Sequence, residues 1–154
     1  MISAAFSRAS IGIVAALLLC GAAVPLHAKD FIKAERPQQR GYSQAVITEG
    51  GRIVWLAGQV AIEDSAGRSL AADFDGQVRE IFRLLGRTLE EAGGKLADMV
   101  TMTVFITDPR LGDRFTQLRC EIFGDDFAAS ALITVAGLAR PEMLVEVQGM
   151  AVIG

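Results

Sequence analysis

Glu146 stands in the closing run "EMLVEVQGMAVIG", flanked by Leu144, Val145, Val147 and Met150. An ionised carboxylate is expensive to bury unless it is paired or neutralised. Two uses are open to it. It can accept hydrogen bonds or pair with an arginine as part of the structure. Alternatively, in a partly dry cleft, where desolvation raises a carboxyl pKa, it can take a proton from water. Few other groups are available for chemistry. The single histidine, His27, lies near the start, which excludes Ser-His-Asp, Cys-His and histidine-zinc chemistry from the rest of the chain. Tyr42 is the one tyrosine, and reads as either a pocket phenol or an aromatic plug at a strand start. Ser130 has no evident base to make it a nucleophile, so packing is its simpler role. Arg140, in "LARPE", is either a surface arginine or a cation that reaches a site. No metal site and no cofactor are implied.

The chain opens "MISAAFSRASIGIVAALLLCGAAVPLHAKD": a short start with Arg8, an apolar run and a small-residue cleavage pattern. This reads as a secretory signal peptide over residues 1–28, cut after Ala28, and implies export to the periplasm. The run is shorter than the ~20 residues of a membrane span, so no membrane partner is expected after removal. Cys20 leaves with the leader. Cys120 then has no intrachain partner and is expected to be buried near the apolar face of a helix. The remaining chain suits one domain. A net charge of −3 without a basic run argues against nucleic acid.

These side chains need elements to position them. Residues 29–40 read as an exposed lead-in. "SQAVITEGGRIVWLAGQVA" reads as two strands joined as a hairpin by "EGG", with Trp55 in the core. Val78, Ile81, Phe82, Leu85 and Leu89 recur at helical steps from Phe74 to Ala92. "DMVTMTVFITDP" alternates as a strand. A second helix follows over Leu111–Phe123, with Phe115, Leu118 and Ile122 inward. Strands over Ala129–Gly137 and Met143–Ile153 close the chain. The fold class is α+β, in the order β-β-α-β-α-β-β. Two helices cover one sheet face. The other would carry Thr101, Thr103, Phe105, Ser130, Leu132, Thr134, Glu146 and Gln148, almost free of lysine and arginine. A solvated sheet face carries long charged side chains. This one is therefore expected to be covered by another copy of the chain, as a homo-oligomer.

The words "GYSQAV", "VWLAGQV", "LEEAGG", "MTVFITD", "EIFG" and "LARPEMLVEVQGMA", in this order from Gly41 to the end, resemble the Rid family (YjgF/YER057c/UK114). The resemblance implies a Rid-like domain over 41–154. It also implies chorismate-mutase-like subunits in a homotrimer, with a central barrel and small-molecule clefts at the interfaces. The reaction it implies is hydrolysis of enamines and imines to keto acids and ammonia. Glu146 matches the family's water-activating glutamate, and Tyr42 its tyrosine, which comes from a neighbouring subunit. Gly58 and Gln59 match a pocket-wall "GQ". Gln117 stands where many members have asparagine. The chain departs from the pattern at Ser130, where the family has a carboxylate-binding arginine. Leu132 replaces a cysteine, and Ala57 a serine. A hydroxyl cannot supply the fixed charge or fork of a guanidinium. The alternatives are therefore an enamine/imine deaminase of altered substrate range, with Arg140 as a replacement cation, a non-catalytic binder of a small metabolite in the envelope, or an interaction protein acting by surface contact.

Overall fold

The structure, a computed structural model, describes residues 28–154; all but Ala28 of the expected leader lies outside them. The chain forms β1 (Ala28–Ile32), α1 (Glu35–Gln39), β2 (Ala45–Glu49), β3 (Arg52–Gln59) and α2 (Phe74–Glu91). It continues with β4 (Met99–Ile106), α3 (Gly112–Phe123), β5 (Ala129–Thr134) and β6 (Val145–Ile153), with short 3-10 turns before β4 and α3. From β2 onward the order is the expected β-β-α-β-α-β-β, and the subunit is α+β.

The main sheet has the order β3-β6-β4-β5. The β4–β6 and β3–β6 pairs are antiparallel, whereas β4 and β5 run parallel, because α3 carries the chain back across the sheet between them. Both long helices cover one face. Val78, Ile81, Leu85 and Leu89 of α2 and Phe115 and Leu118 of α3 are buried with Met102, Val104, Ile106, Val145 and Val147 of the sheet. Asp73 caps α2, its side chain accepting from the Gly76 N–H.

The N-terminal third differs from expectation. Residues 29–40, expected as an exposed lead-in, hold most of β1 and all of α1. β1 pairs antiparallel with β2 as a separate two-stranded ribbon, and Lys29 Nζ reaches Asp98 at 2.7 Å. The expected β2–β3 hairpin is therefore not a pair. Gly50 and Gly51 do turn the chain, both with positive φ (68° and 79°), but β2 leaves to join β1 while β3 joins β6. The sequence signal marked the turn; strand partnership was decided by the unforeseen β1.

Trp55, expected in the core, is 77% exposed. Its register partner is Met150, itself opposite Thr101, so it lies on the face without helices. Ile53 is also exposed there. The ribbon overhangs this face, and Gln44, Ala45, Val46 and Thr48 help Ile53, Trp55, Met150 and Val152 line an apolar groove of about 440 Å³.

Candidate functional site

The helix-free face carries Phe105 opposite Glu146 and Thr103 opposite Gln148. Glu146 is half-buried, and its carboxylate lies directly over Gly58, close enough that a Cβ there would clash with Oε1. The approach is possible because Gly58 has no side chain and sits in an irregularity of β3, between Leu56 and Gln59, where the register with β6 shifts. Among the described residues, Glu146 makes no side-chain hydrogen bond or ion pair. Gln59 is turned back on its own strand, its Nε2 donating to the Val60 carbonyl at 3.0 Å.

Ser130, Leu132 and Thr134 were expected on that same face. The parallel register pairs them with Met102, Val104 and Ile106 instead, which places them on the helix side; Ala131 and Ile133 take the open face. A one-residue offset exchanges the faces of a strand, and the alternation of β5 is too weak to fix it in advance. Being on an edge strand, Ser130 and Leu132 border a second cavity of about 260 Å³, lined with Arg40, Tyr42, Thr116 and Arg119.

Arg119 is the residue that sequence reasoning missed. It is 3% exposed on α3. Nη1 donates to Ser130 Oγ at 2.7 Å and Nη2 to the Arg40 carbonyl at 2.7 Å, while Nε is buried without a partner. Its guanidinium carbon stands 5.2 Å from the centre of the Phe115 ring. Burial pushes its pKa down to about 10. The signal was available: Arg119 follows Phe115 by four residues, on the stripe that also carries Leu118 and Ile122. A charge on the inward stripe of a helix raises the same question as Glu146 in its strand.

Two expected residues are elsewhere. Gln117 is exposed on the outer side of α3, where its Oε1 accepts from Arg114 Nη1 at 3.0 Å; Thr116 takes its place at the cavity. Arg140 is more than half exposed and lies 3.6 Å from Glu142, and it does not line the Tyr42 cavity. Cys120 is half-buried, near the position a Cβ on Gly41 would take.

Within one chain, therefore, Glu146 with Gly58 and Tyr42 with Ser130 form two separate clusters. The first is on the open sheet face and the second at the β5 edge, and the cavity at Tyr42 does not include Glu146. Such a subunit, an α+β sheet with one helix-covered face and one bare apolar face, is that of a chorismate-mutase-like protein. The family model described as endoribonuclease L-PSP matches residues 33–153. The chain belongs to that family, which is the Rid (YjgF/YER057c/UK114) family. A RutC family protein of Pyrococcus abyssi is 30% identical over 126 residues, covering 80% of this chain and 97% of that one. The Rid family protein YyfB of Yersinia pestis, described as of unknown function, superposes with a TM-score of 0.71 at 28% identity. That match covers 81% of this chain and 98% of the other. Rv2704 of Mycobacterium tuberculosis, a member of the YjgF/YER057c/UK114 family, gives 0.59 at 26% identity, covering 82% and 100%.

Proposed function

We propose that this protein is a homotrimeric hydrolase of small-molecule C=N bonds, acting on enamines or imines in clefts between subunits. The observation that carries the reading is the solitary Glu146. It is a half-buried carboxylate without a partner among the described residues, held over Gly58, on a sheet face whose exposed side chains include Trp55 and Ile53. A second copy packed on that face shelters the carboxylate and brings a Tyr42 edge to it.

In the proposed reaction Glu146 accepts a proton from water as the oxygen adds to the carbon of the C=N bond. Glu146 passes that proton on to the nitrogen, and the resulting carbinolamine loses ammonia, leaving a carbonyl compound. Water is the only co-reactant. Tyr42, from the neighbouring copy, closes the cleft and holds the ligand through its phenol. The test is ammonia release from imines generated in the assay. Wild type should exceed buffer and Glu146→Gln should not; a wild-type rate equal to buffer ends the proposal.

A second reading, a binding trimer without turnover, is favoured by Ser130 in place of an arginine on β5. A ligand that raises the melting temperature and is recovered unchanged supports it. We place the protein in the periplasm, on the opening run of the sequence; N-terminal sequencing of the exported form should begin at Lys29. The family description names an endoribonuclease, but a net charge of −3 and an apolar open face do not suit a phosphate backbone.

A further inference from the structure

Two atoms close to Tyr42 lack a hydrogen-bond partner, and both border one gap. Arg119 is 3% exposed; its Nη1 and Nη2 donate to Ser130 Oγ and the Arg40 carbonyl, but its Nε is buried without an acceptor. Cys120, the next residue, is a free, half-buried thiol, and its Sγ makes no hydrogen bond among the described residues. Gly41 opens the gap between them. A Cβ there would stand 2.9 Å from Sγ and 3.4 Å from Nε, with the Thr116 carbonyl at 3.6 Å on a third side. The positive φ of Gly41 (66°) already asks for glycine, so the informative fact is what lines the space.

A buried N–H without an acceptor is costly, and a native one asks for an explanation. The acceptor that fits this gap is an oxygen carried by Sγ itself. Oxidation of a thiol to the sulfenic level adds one oxygen. Once ionised, that oxygen is an anion that a guanidinium N–H holds by a charge-assisted hydrogen bond. The same N–H lies where charge builds on oxygen during the transfer, and a donor placed there lowers the barrier. No carboxylate competes for it, because no ion pair among the described residues includes Arg119. Nor is there a second thiol among the described residues to close the oxidised sulfur into a disulfide.

We propose that Cys120 is a site of reversible oxidation by hydroperoxides, and that Arg119 holds the sulfenate oxygen and relays the change to the Tyr42 segment. In the step, a sulfur lone pair attacks one oxygen of hydrogen peroxide. The S–O bond forms as the O–O bond breaks. Sulfur is oxidised by two electrons, and the other oxygen leaves as hydroxide and takes the thiol proton to become water. The sulfenic acid then gives its proton to solvent as Nε takes the oxygen. An external thiol reverses the change: it attacks sulfur, water leaves, and a second thiol reduces the mixed disulfide. The relay runs through the other two nitrogens. Nη2 holds the Arg40 carbonyl, two residues before Tyr42, and Nη1 holds Ser130 in the same cavity wall. A guanidinium drawn toward Sγ gives up part of that hold, so oxidation loosens residues 40–43. The proposal goes beyond the hydrolase reading and needs neither Glu146 nor a substrate.

The test treats the full chain with hydrogen peroxide, traps sulfenate with dimedone and locates the adduct by peptide mass spectrometry. Hydrogen exchange is read at residues 40–43 before and after. Wild type should form the Cys120 adduct about tenfold faster than glutathione under the same conditions. Dithiothreitol should restore the thiol, and exchange at residues 40–43 should rise on oxidation and fall back on reduction. Cys120→Ser should show no adduct at 120 and no peroxide-dependent change in exchange. Arg119→Met should slow adduct formation about tenfold. Should that variant fail to fold, Arg119→Lys serves: it keeps the charge, has no N–H at the Nε position and should slow the adduct several-fold. A wild-type rate no faster than glutathione, or a first product that dithiothreitol does not reduce, would overturn the proposal. So would an unchanged or faster rate in the Arg119 variant, or unchanged exchange at residues 40–43. Ammonia release is not read, so loss of the hydrolase reading leaves this site standing, and loss of this site leaves that reading.

Discussion

The Glu146 carboxylate occupies the space that a side chain at Gly58 would need. The two residues face each other across β3 and β6, and the irregular register of β3 brings them together. Gly58→Ala should therefore displace the carboxylate without altering its chemistry. If Glu146 activates water, its removal costs about 10²-fold or more in rate. Gly58→Ala should lose a comparable factor, and the double variant with Glu146→Gln should be no slower than either single one, since both remove the same placed group. Steady-state ammonia release measures this; additive losses would separate the two residues.

Gln77 ties α2 to the loop that leads into β6. It is fully buried, with Nε2 donating to the carbonyls of Leu70 at 3.0 Å and Glu142 at 2.7 Å, and Oε1 accepting from the Leu144 N–H at 2.9 Å. Gln77→Leu leaves the Glu142 carbonyl and the Leu144 N–H without this partner, while the Leu70 carbonyl still accepts from the Asp73 N–H at 3.0 Å. The expected loss is about 3 kcal/mol, read from the urea midpoint at unchanged m-value, and ligand affinity should fall with it as the start of β6 loosens. A loss under about 0.5 kcal/mol would show that solvent reaches those groups.

Much of this arrangement was legible because periodicity and burial agree. The α2 stripe and the alternation of β4 gave the helices, the central strands and the bare face, since each side chain there is either wholly inside or outside. The place of Trp55 was not legible because β3 carries apolar side chains on both sides, and a sequence does not say which side the chain itself covers. Ser130 and Leu132 were put on the wrong face because β5 is an edge strand with little alternation. β1 was unreadable because two short strands that pair only with each other carry almost no core pattern. Arg119 was harder to read because an arginine on a helix ordinarily carries its charge out to solvent, even from an apolar stripe.

Asp98 anchors the ribbon to the domain through Lys29, both side chains being about 15% exposed. Burial alone would raise the Asp98 carboxyl. Lys29 and the backbone N–H of Lys95 outweigh it and hold the pKa below the ordinary value. A carboxyl depressed on folding contributes stability that is fully present above its unfolded pKa, about 3.9, and lost as pH falls through the folded value. Wild type should therefore lose stability to urea below about pH 5 more steeply than Asp98→Asn, which is the less stable at pH 7. Parallel curves for the two proteins between pH 6 and pH 3 would show that the pair does not contribute.

Trp55 is the only tryptophan in the chain, so it reports on the open face by itself. Its ring is 77% exposed in the isolated subunit, beside Ile53 and the apolar groove beneath the ribbon. Covering it would remove roughly 150 Å² of apolar surface, about 4 kcal/mol of transfer free energy for each copy. If the face is an interface, emission should be blue-shifted at micromolar concentration and move to the red on dilution, as the subunits separate. Trp55→Lys should raise the dissociation midpoint at least 100-fold in sedimentation velocity, and ammonia release should fall with the trimer, because Glu146 and Tyr42 then no longer share a cleft. A red emission maximum at every concentration, together with a monomeric wild type, would leave the carboxylate open to water and remove the basis for its catalytic role.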